Sequence, residues 1–172
     1  MEGLKIWLLS ILAAIMYGIL HDQVTARICV EYFSIAHPTI LPLTSPTLLA
    51  LQWGILATWW VGCCLGIGLA VSARLGLGPP LSARDLYRPL AILLLCMALG
   101  SLVAGITGFF LARAGLISLN GRLATAIPAP KHARFMADWW AHAAAYVIGF
   151  LGGLTLCVRT FVTRRRVAAS AL

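Results

Sequence analysis

Charged residues are scarce in this 172-residue chain, at 10% of the total, whereas a soluble domain carries about 25%. Hydrophobic residues reach 61%. This composition excludes an ordinary soluble globule, a disordered chain and a disulfide-rich secreted module. It indicates an integral membrane protein with a single domain, residues 1–172.

Acidic residues are scarcer than basic ones, with 5 Asp and Glu against 13 Lys and Arg, which gives a net charge of +8. Most of the basic residues flank apolar segments, and the aromatic-basic interleaving typical of nucleic-acid binding is missing. We therefore expect the lipid bilayer as the partner of these charges, and no nucleic acid.

A Cys-x-x-Cys motif is also missing. The five cysteines fall mainly in apolar segments, where a cysteine acts as a small buried residue. The alternative is a metal or redox role for the adjacent pair Cys63 and Cys64, for which the neighbouring sequence offers no further ligand.

Long apolar runs are what the chain does contain, and each is near the roughly 20 residues that a membrane-spanning helix needs. Because the alternation of a β-barrel is absent, they predict an all-α four-helix bundle. The first run lacks a convincing signal-peptide cleavage site, so we expect a retained helix. The four predicted spans are residues 4–22, 47–71, 89–112 and 139–162.

Two longer loops then lie at one end of the bundle. In the first loop, residues 23–36 are expected to extend the first helix or to form an interfacial helix. Three prolines at 38, 42 and 46 enforce an extended connection to the second helix. Glycines at helical spacing, such as Gly62 with Gly66 and Gly149 with Gly153, predict close helix-helix contacts.

Basic residues indicate the orientation. Eight lie on the side of the termini and five on the side of the two long loops, so the positive-inside rule places both termini in the cytoplasm of a bacterial inner membrane. The eight are Lys5, Arg74, Arg84, Arg88, Arg159, Arg164, Arg165 and Arg166, and the five are Arg27, Arg113, Arg122, Lys131 and Arg134.

Histidines and carboxylates gather on the side predicted to be extracytoplasmic. All four histidines and three of the five carboxylates lie at or beyond these helix ends. A first helix packed against the fourth would bring His21 and His142 together at equal depth. We predict a metal site for Zn, Fe or Mn with the ligands His21, Glu31, Asp138 and His142, and with Asp22 and His37 as second-shell or alternative ligands.

Other functions are consistent with the same residues. Two facing histidines can ligate haem, although carboxylates are unusual haem neighbours. The chain can also be a structural accessory subunit that packs into a larger membrane complex or a homo-oligomer, with the polar cluster bracing its loops. A bound metal would favour hydrolysis of a lipid-like or periplasmic substrate, but no catalytic residue is identified and enzymatic activity stays open.

A resemblance supports a shared site at this face. The pattern His21-Asp22-Gln23, then Glu31-Tyr32-Phe33 and His37-Pro38, together with Trp140-Ala141-His142, resembles an uncharacterised group of bacterial multi-pass inner-membrane proteins with an HDQ…EYF…HP signature. The resemblance implies a common outer site without assigning an activity to it.

Overall fold

The computed structural model describes residues 1–76 and 78–169, and within these ranges the regular structure is helical throughout. Four helical stretches are long and apolar enough to cross a membrane, which confirms the predicted all-α four-helix fold. The last residues of the predicted domain, 170–172, lie outside the described residues, as does Leu77.

Seven α-helices and one 3₁₀ turn make up the fold over the described residues. In chain order they are α1 (Glu2–Ile28), α2 (Glu31–Ser34), α3 (Pro46–Leu56), α4 (Trp59–Arg74), α5 (Ala83–Arg113), α6 (Gly121–Ala126), the 3₁₀ turn (Ala129–Lys131) and α7 (His132–Ala169). Residues 23–28 continue α1 and residues 31–34 form the separate α2, so the segment predicted to extend the first helix or to form another helix is largely helical.

Two helix pairs build the bundle. α1 packs along α3 and α4, α5 packs along α7, and contacts between α4 and α7 join the pairs. α1 and α5 touch only sparsely, so the bundle is open between them. We call the end with residues 29–45 and 114–128 the site end, and the end with residues 75–82 the Arg164 end.

Glycines hold α1 close to its partners, as the helical spacing predicted. A Cβ at Gly62 would lie 2.8 Å from the Cα of Ile11, and one at Gly18 would lie 2.5 Å from the carbonyl oxygen of Gly54. Both distances are too short for a Cβ contact. The opposing atoms belong to the backbone and cannot move aside, so only glycine fits at these two positions. Hydrocarbon gives no hydrophobic drive for helix association, so this close packing is what binds α1 to α3 and α4.

The second predicted span is broken into α3 and α4 at Ala57–Thr58. The Thr58 hydroxyl donates a hydrogen bond to the Gly54 carbonyl at 2.5 Å, so a side chain competes for an acceptor that helical amides use. The Thr58 amide bonds to the Ile55 carbonyl instead. The run contains no proline at this point, so its composition did not indicate a break.

Helices α1 and α7 are also longer than the predicted spans at the site end. α1 continues from His21 to Ile28, and α7 begins at His132 rather than at residue 139. At about 1.5 Å per residue, His21 lies about 10 Å inside its helix and His142 about 15 Å inside its own. The functional residues are therefore deeper in the bundle than the sequence suggested.

Candidate functional site

The site is built where α1 and α7 approach one another beneath α2. The rings of His21 and His142 lie edge to face with their centroids 4.5 Å apart, so the predicted proximity of these two residues is confirmed. Tyr32 of α2 stacks on the His142 ring at a centroid distance of 4.4 Å. α2 thus covers the pair from the site end.

His142 has a defined hydrogen-bond arrangement on both ring nitrogens. Its Nδ1 lies 2.7 Å from the backbone carbonyl of Asp138, one helical turn earlier, and its Nε2 lies 3.1 Å from Oδ1 of Asp22. Because a carbonyl oxygen only accepts, Nδ1 is the nitrogen that donates there. The Nε2 atom, which faces Asp22, is then the ring nitrogen whose lone pair is available to a ligand.

Asp22, His21 and His142 form a compact group of possible ligands. One ligand atom from each residue lies within 4.8 Å of the other two. Asp22 is 5% exposed and His142 is 9% exposed. The Nε2 atom of His21 is buried without a hydrogen-bond partner in the described structure, so the group contains an unsatisfied nitrogen.

Asp138 and Glu31, which the sequence placed among the metal ligands, stand outside this group. Asp138 is fully buried, and neither of its carboxylate oxygens has a hydrogen-bond partner among the described residues. Its backbone carbonyl, rather than its side chain, contacts His142. Asp22, placed by the sequence among the alternatives, supplies the carboxylate beside both histidines.

Glu31 instead forms an ion pair with Lys131 that ties α2 to the 3₁₀ turn before α7. Burial raises the pKa of the Glu31 carboxyl, but hydrogen bonds from Lys131, from the backbone amide of Glu31 itself and from Cys29 outweigh this and hold that pKa below its ordinary value. Glu31 is therefore an ionised brace for the segment that covers His142.

His37 lies nearby without joining the group. Its Nδ1 donates to the Tyr32 carbonyl at 2.7 Å, and its ring contacts Trp53 at a centroid distance of 4.5 Å. Burial lowers the pKa of His37, so the imidazole is neutral at pH 7, and the hydrogen bond to Tyr32 only partly opposes that effect. The fourth histidine, His132, begins α7, with its Nε2 2.9 Å from the Ile127 carbonyl.

A small cavity of about 90 Å³ joins these residues. Five residues of the HDQ…EYF…HP pattern line it together with His142, namely His21, Asp22, Tyr32, Phe33 and His37. The sequence had grouped His21, Asp22 and His37 in one predicted site, whereas Tyr32 and Phe33 join them because α2 lies over the end of α1.

The cysteines take no part in the site. All five are free thiols. Among the described residues, the group of possible metal ligands includes neither Cys63 nor Cys64. The backbone carbonyl of Cys63 accepts a hydrogen bond from the Trp7 indole at 3.2 Å, which is a packing role.

Comparison with known proteins adds no assignment. No protein-family model matches the chain, and neither curated proteins nor solved structures gave a match. The geometry of the residues themselves therefore carries the functional argument.

Proposed function

We propose that this membrane protein binds a divalent metal ion, Zn(II), Fe(II) or Mn(II), through His21, Asp22 and His142. The observation that carries the proposal is the spacing of their ligand atoms, all within 4.8 Å. Small rotations of the side chains would close this group around an ion held at about 2 Å from each ligand. Two imidazoles and a carboxylate are a donor set that suits these metals.

The unsatisfied nitrogen of His21 supports the same function. A buried polar atom without a partner costs about 1–3 kcal/mol, and coordination of an ion would remove this cost. The hydrogen bond from Nδ1 of His142 to the Asp138 carbonyl fixes the ring with Nε2 directed toward Asp22. Such an outer hydrogen bond accompanies most histidine ligands of metals.

A single ion suits the geometry better than haem does. The His21 and His142 rings are in edge contact, which leaves no slot between them for a porphyrin. Tyr32 covers one face of the His142 ring, and the cavity beside the pair holds only about 90 Å³.

Metal analysis of the purified full chain tests the proposal. After chelator treatment and titration with Zn(II), the wild-type protein is expected to retain one ion per chain, and His21→Ala to retain none above background. His132→Ala is the matched control and should bind as the wild type does, because its ring contacts only the Ile127 carbonyl among the described hydrogen bonds. Circular dichroism and elution volume would establish that each variant is folded.

Wild-type protein without stoichiometric metal, or equal metal content in wild type and His21→Ala, would contradict the proposal. The accessory-subunit function would then lead, with the His142–Asp22 hydrogen bond serving only to join α7 to α1.

We propose in addition that the site end faces the extracytoplasmic side of a bacterial inner membrane. The excess of basic residues at the Arg164 end supports this orientation through the positive-inside rule. Reporter domains at the C-terminus and after Gly115 are expected to report the cytoplasm and the opposite compartment, respectively. Gly115 suits an insertion, since no side chain or backbone lies within 4 Å of a Cβ built there. An extracytoplasmic signal from the C-terminal fusion would contradict the orientation.

A further inference from the structure

A second, larger cavity lies on the other side of His21. It is a cleft of about 670 Å³ between α1, α5 and α7, at the sparse contact between α1 and α5. A hydrogen bond of 3.1 Å between the hydroxyls of Tyr17 and Ser101 joins α1 to α5 at one wall. The volume is within the range of cavities that hold small organic molecules.

The mouth of the cleft opens sideways from the bundle. The lining residues Leu20, Leu102 and Phe110 are 62%, 60% and 64% exposed, and all three belong to helices able to cross a membrane. A cleft with this position is reached from the acyl-chain region of a bilayer. An apolar molecule dissolved in the membrane can therefore enter without crossing water.

Five polar side chains interrupt the apolar lining. The hydroxyls of Tyr17 and Ser101 bond to each other and that of Thr25 bonds to the His21 carbonyl, which leaves the side chains of His21 and Asp138. Asp138 is 0% exposed and both of its carboxylate oxygens lack a partner among the described residues, as does Nε2 of His21. No lysine or arginine lines the described walls of the cleft. The polar region thus offers hydrogen bonding without positive charge.

We infer that the cleft binds a neutral lipid alcohol, with its hydrocarbon chain along α5 and its hydroxyl group at Asp138 and His21. A plain hydrocarbon would leave the two polar groups unsatisfied. An anionic phosphate head would meet a carboxyl group with no basic residue to balance it. A hydroxyl group can donate to a carboxyl oxygen of Asp138, and it can pair with the His21 imidazole while no metal ion occupies that nitrogen. With the ion bound, Asp138 alone holds the hydroxyl group.

His21 connects this cleft to the proposed metal site, since its side chain lines both cavities. The alcohol would therefore reach the neighbourhood of the metal from the membrane. This inference extends the proposed function by naming the class of ligand that approaches the same site, but binding in the cleft is measurable without metal.

Photo-crosslinking in lipid nanodiscs tests the inference. The probes are a long-chain alcohol with a diazirine on its chain and the matched methyl ether, each applied to the full chain with and without Zn(II). The alcohol is expected to label cleft residues about 2- to 10-fold more than the ether does, which corresponds to one net hydrogen bond.

Two tryptophan variants on α5 locate the binding. Ala98→Trp fills the cleft from an exposed lining position and is expected to abolish specific labelling. Ala91→Trp places the same side chain at an exposed position of α5 outside the cleft and should not change labelling.

Equal labelling by alcohol and ether, or labelling that Ala98→Trp leaves unchanged, would overturn the inference. The metal content of the same samples keeps the two proposals separate. Equal labelling of the wild type by both probes with one ion per chain still bound would contradict the cleft alone. Selective labelling by the alcohol in wild-type protein that retains no ion after Zn(II) titration would contradict the metal site alone.

Discussion

Asp22→Asn is expected to weaken Zn(II) binding by about 100-fold or more, which exceeds the effect typical of residues outside the coordination shell. Asp22 supplies the anionic oxygen beside both histidines, and its Oδ1 lies 3.1 Å from Nε2 of His142. Asparagine keeps the size and the carbonyl oxygen of the side chain but removes its charge. Because a divalent ion is bound by charge as well as by geometry, affinity should fall while the fold persists.

Asp138→Asn is the matched control for this prediction. Asp138 is also a buried carboxyl group near His142, but its side chain lies outside the compact group of ligand atoms. We expect this variant to retain wild-type affinity for Zn(II) in competition with a chelating dye. The reverse ranking of the two variants would show that Asp138 is the carboxylate ligand, as the sequence alone suggested, and that the Asp22–His142 contact is only structural.

Arg164→Ala is expected to have the largest effect on stability. The Arg164 side chain is 3% exposed, and its guanidinium donates hydrogen bonds of 2.7–3.0 Å to four backbone carbonyls. These carbonyls belong to Ser72, Leu75, Gly78 and Pro79, at the C-terminal end of α4 and in the loop after it. One side chain therefore satisfies carbonyls that the end of α4 leaves without helical partners.

Removal of this guanidinium leaves several buried acceptors unpaired, and even one or two of them cost about 1–3 kcal/mol each. For a total of about 3 kcal/mol and about 2–4 °C per kcal/mol in a chain of this size, we expect the midpoint of thermal unfolding in detergent to fall by about 6–12 °C. Arg164→Lys should recover little, since an ammonium group cannot reproduce the planar fork of donors.

Arg166→Ala provides the comparison on the same helix. Arg166 is exposed, so its loss should leave the unfolding midpoint within about 2 °C of the wild type. Similar midpoints for Arg164→Ala and Arg166→Ala would contradict a structural role of Arg164 and would return the whole basic cluster to the topological role inferred from sequence.

Arg164 also illustrates a limit of the sequence pattern. Three consecutive arginines after an apolar span predicted a solvated cluster that meets lipid headgroups. Spacing along a helix does not tell which of three neighbours turns toward the loop between α4 and α5. That depends on where the loop runs, and Gly78, with φ of 99°, allows it to pass close to the Arg164 backbone.

The sequence by itself determined the number of spanning helices, the helical class of the fold and the end of the bundle that collects histidines and carboxylates. These features follow from hydrophobicity and helix direction, which are local properties of the chain. The sequence also predicted that His21 and His142 lie at equal depth, because α1 runs toward the site end and α7 runs away from it.

Only the tertiary structure decided which carboxylate stands beside the two histidines. The sequence does not distinguish the three carboxylates at this end, which are Asp22, Glu31 and Asp138. In the structure they differ in the direction that each faces on its helix and in the residues that each contacts. Rotation of α1 turns Asp22 toward Nε2 of His142, while Lys131 binds Glu31 in the covering segment. The open cleft between α1 and α5 likewise forms because α1 packs mainly on α3 and α4 while α5 packs mainly on α7. This choice of partners depends on all the spanning helices together and cannot be read from one segment.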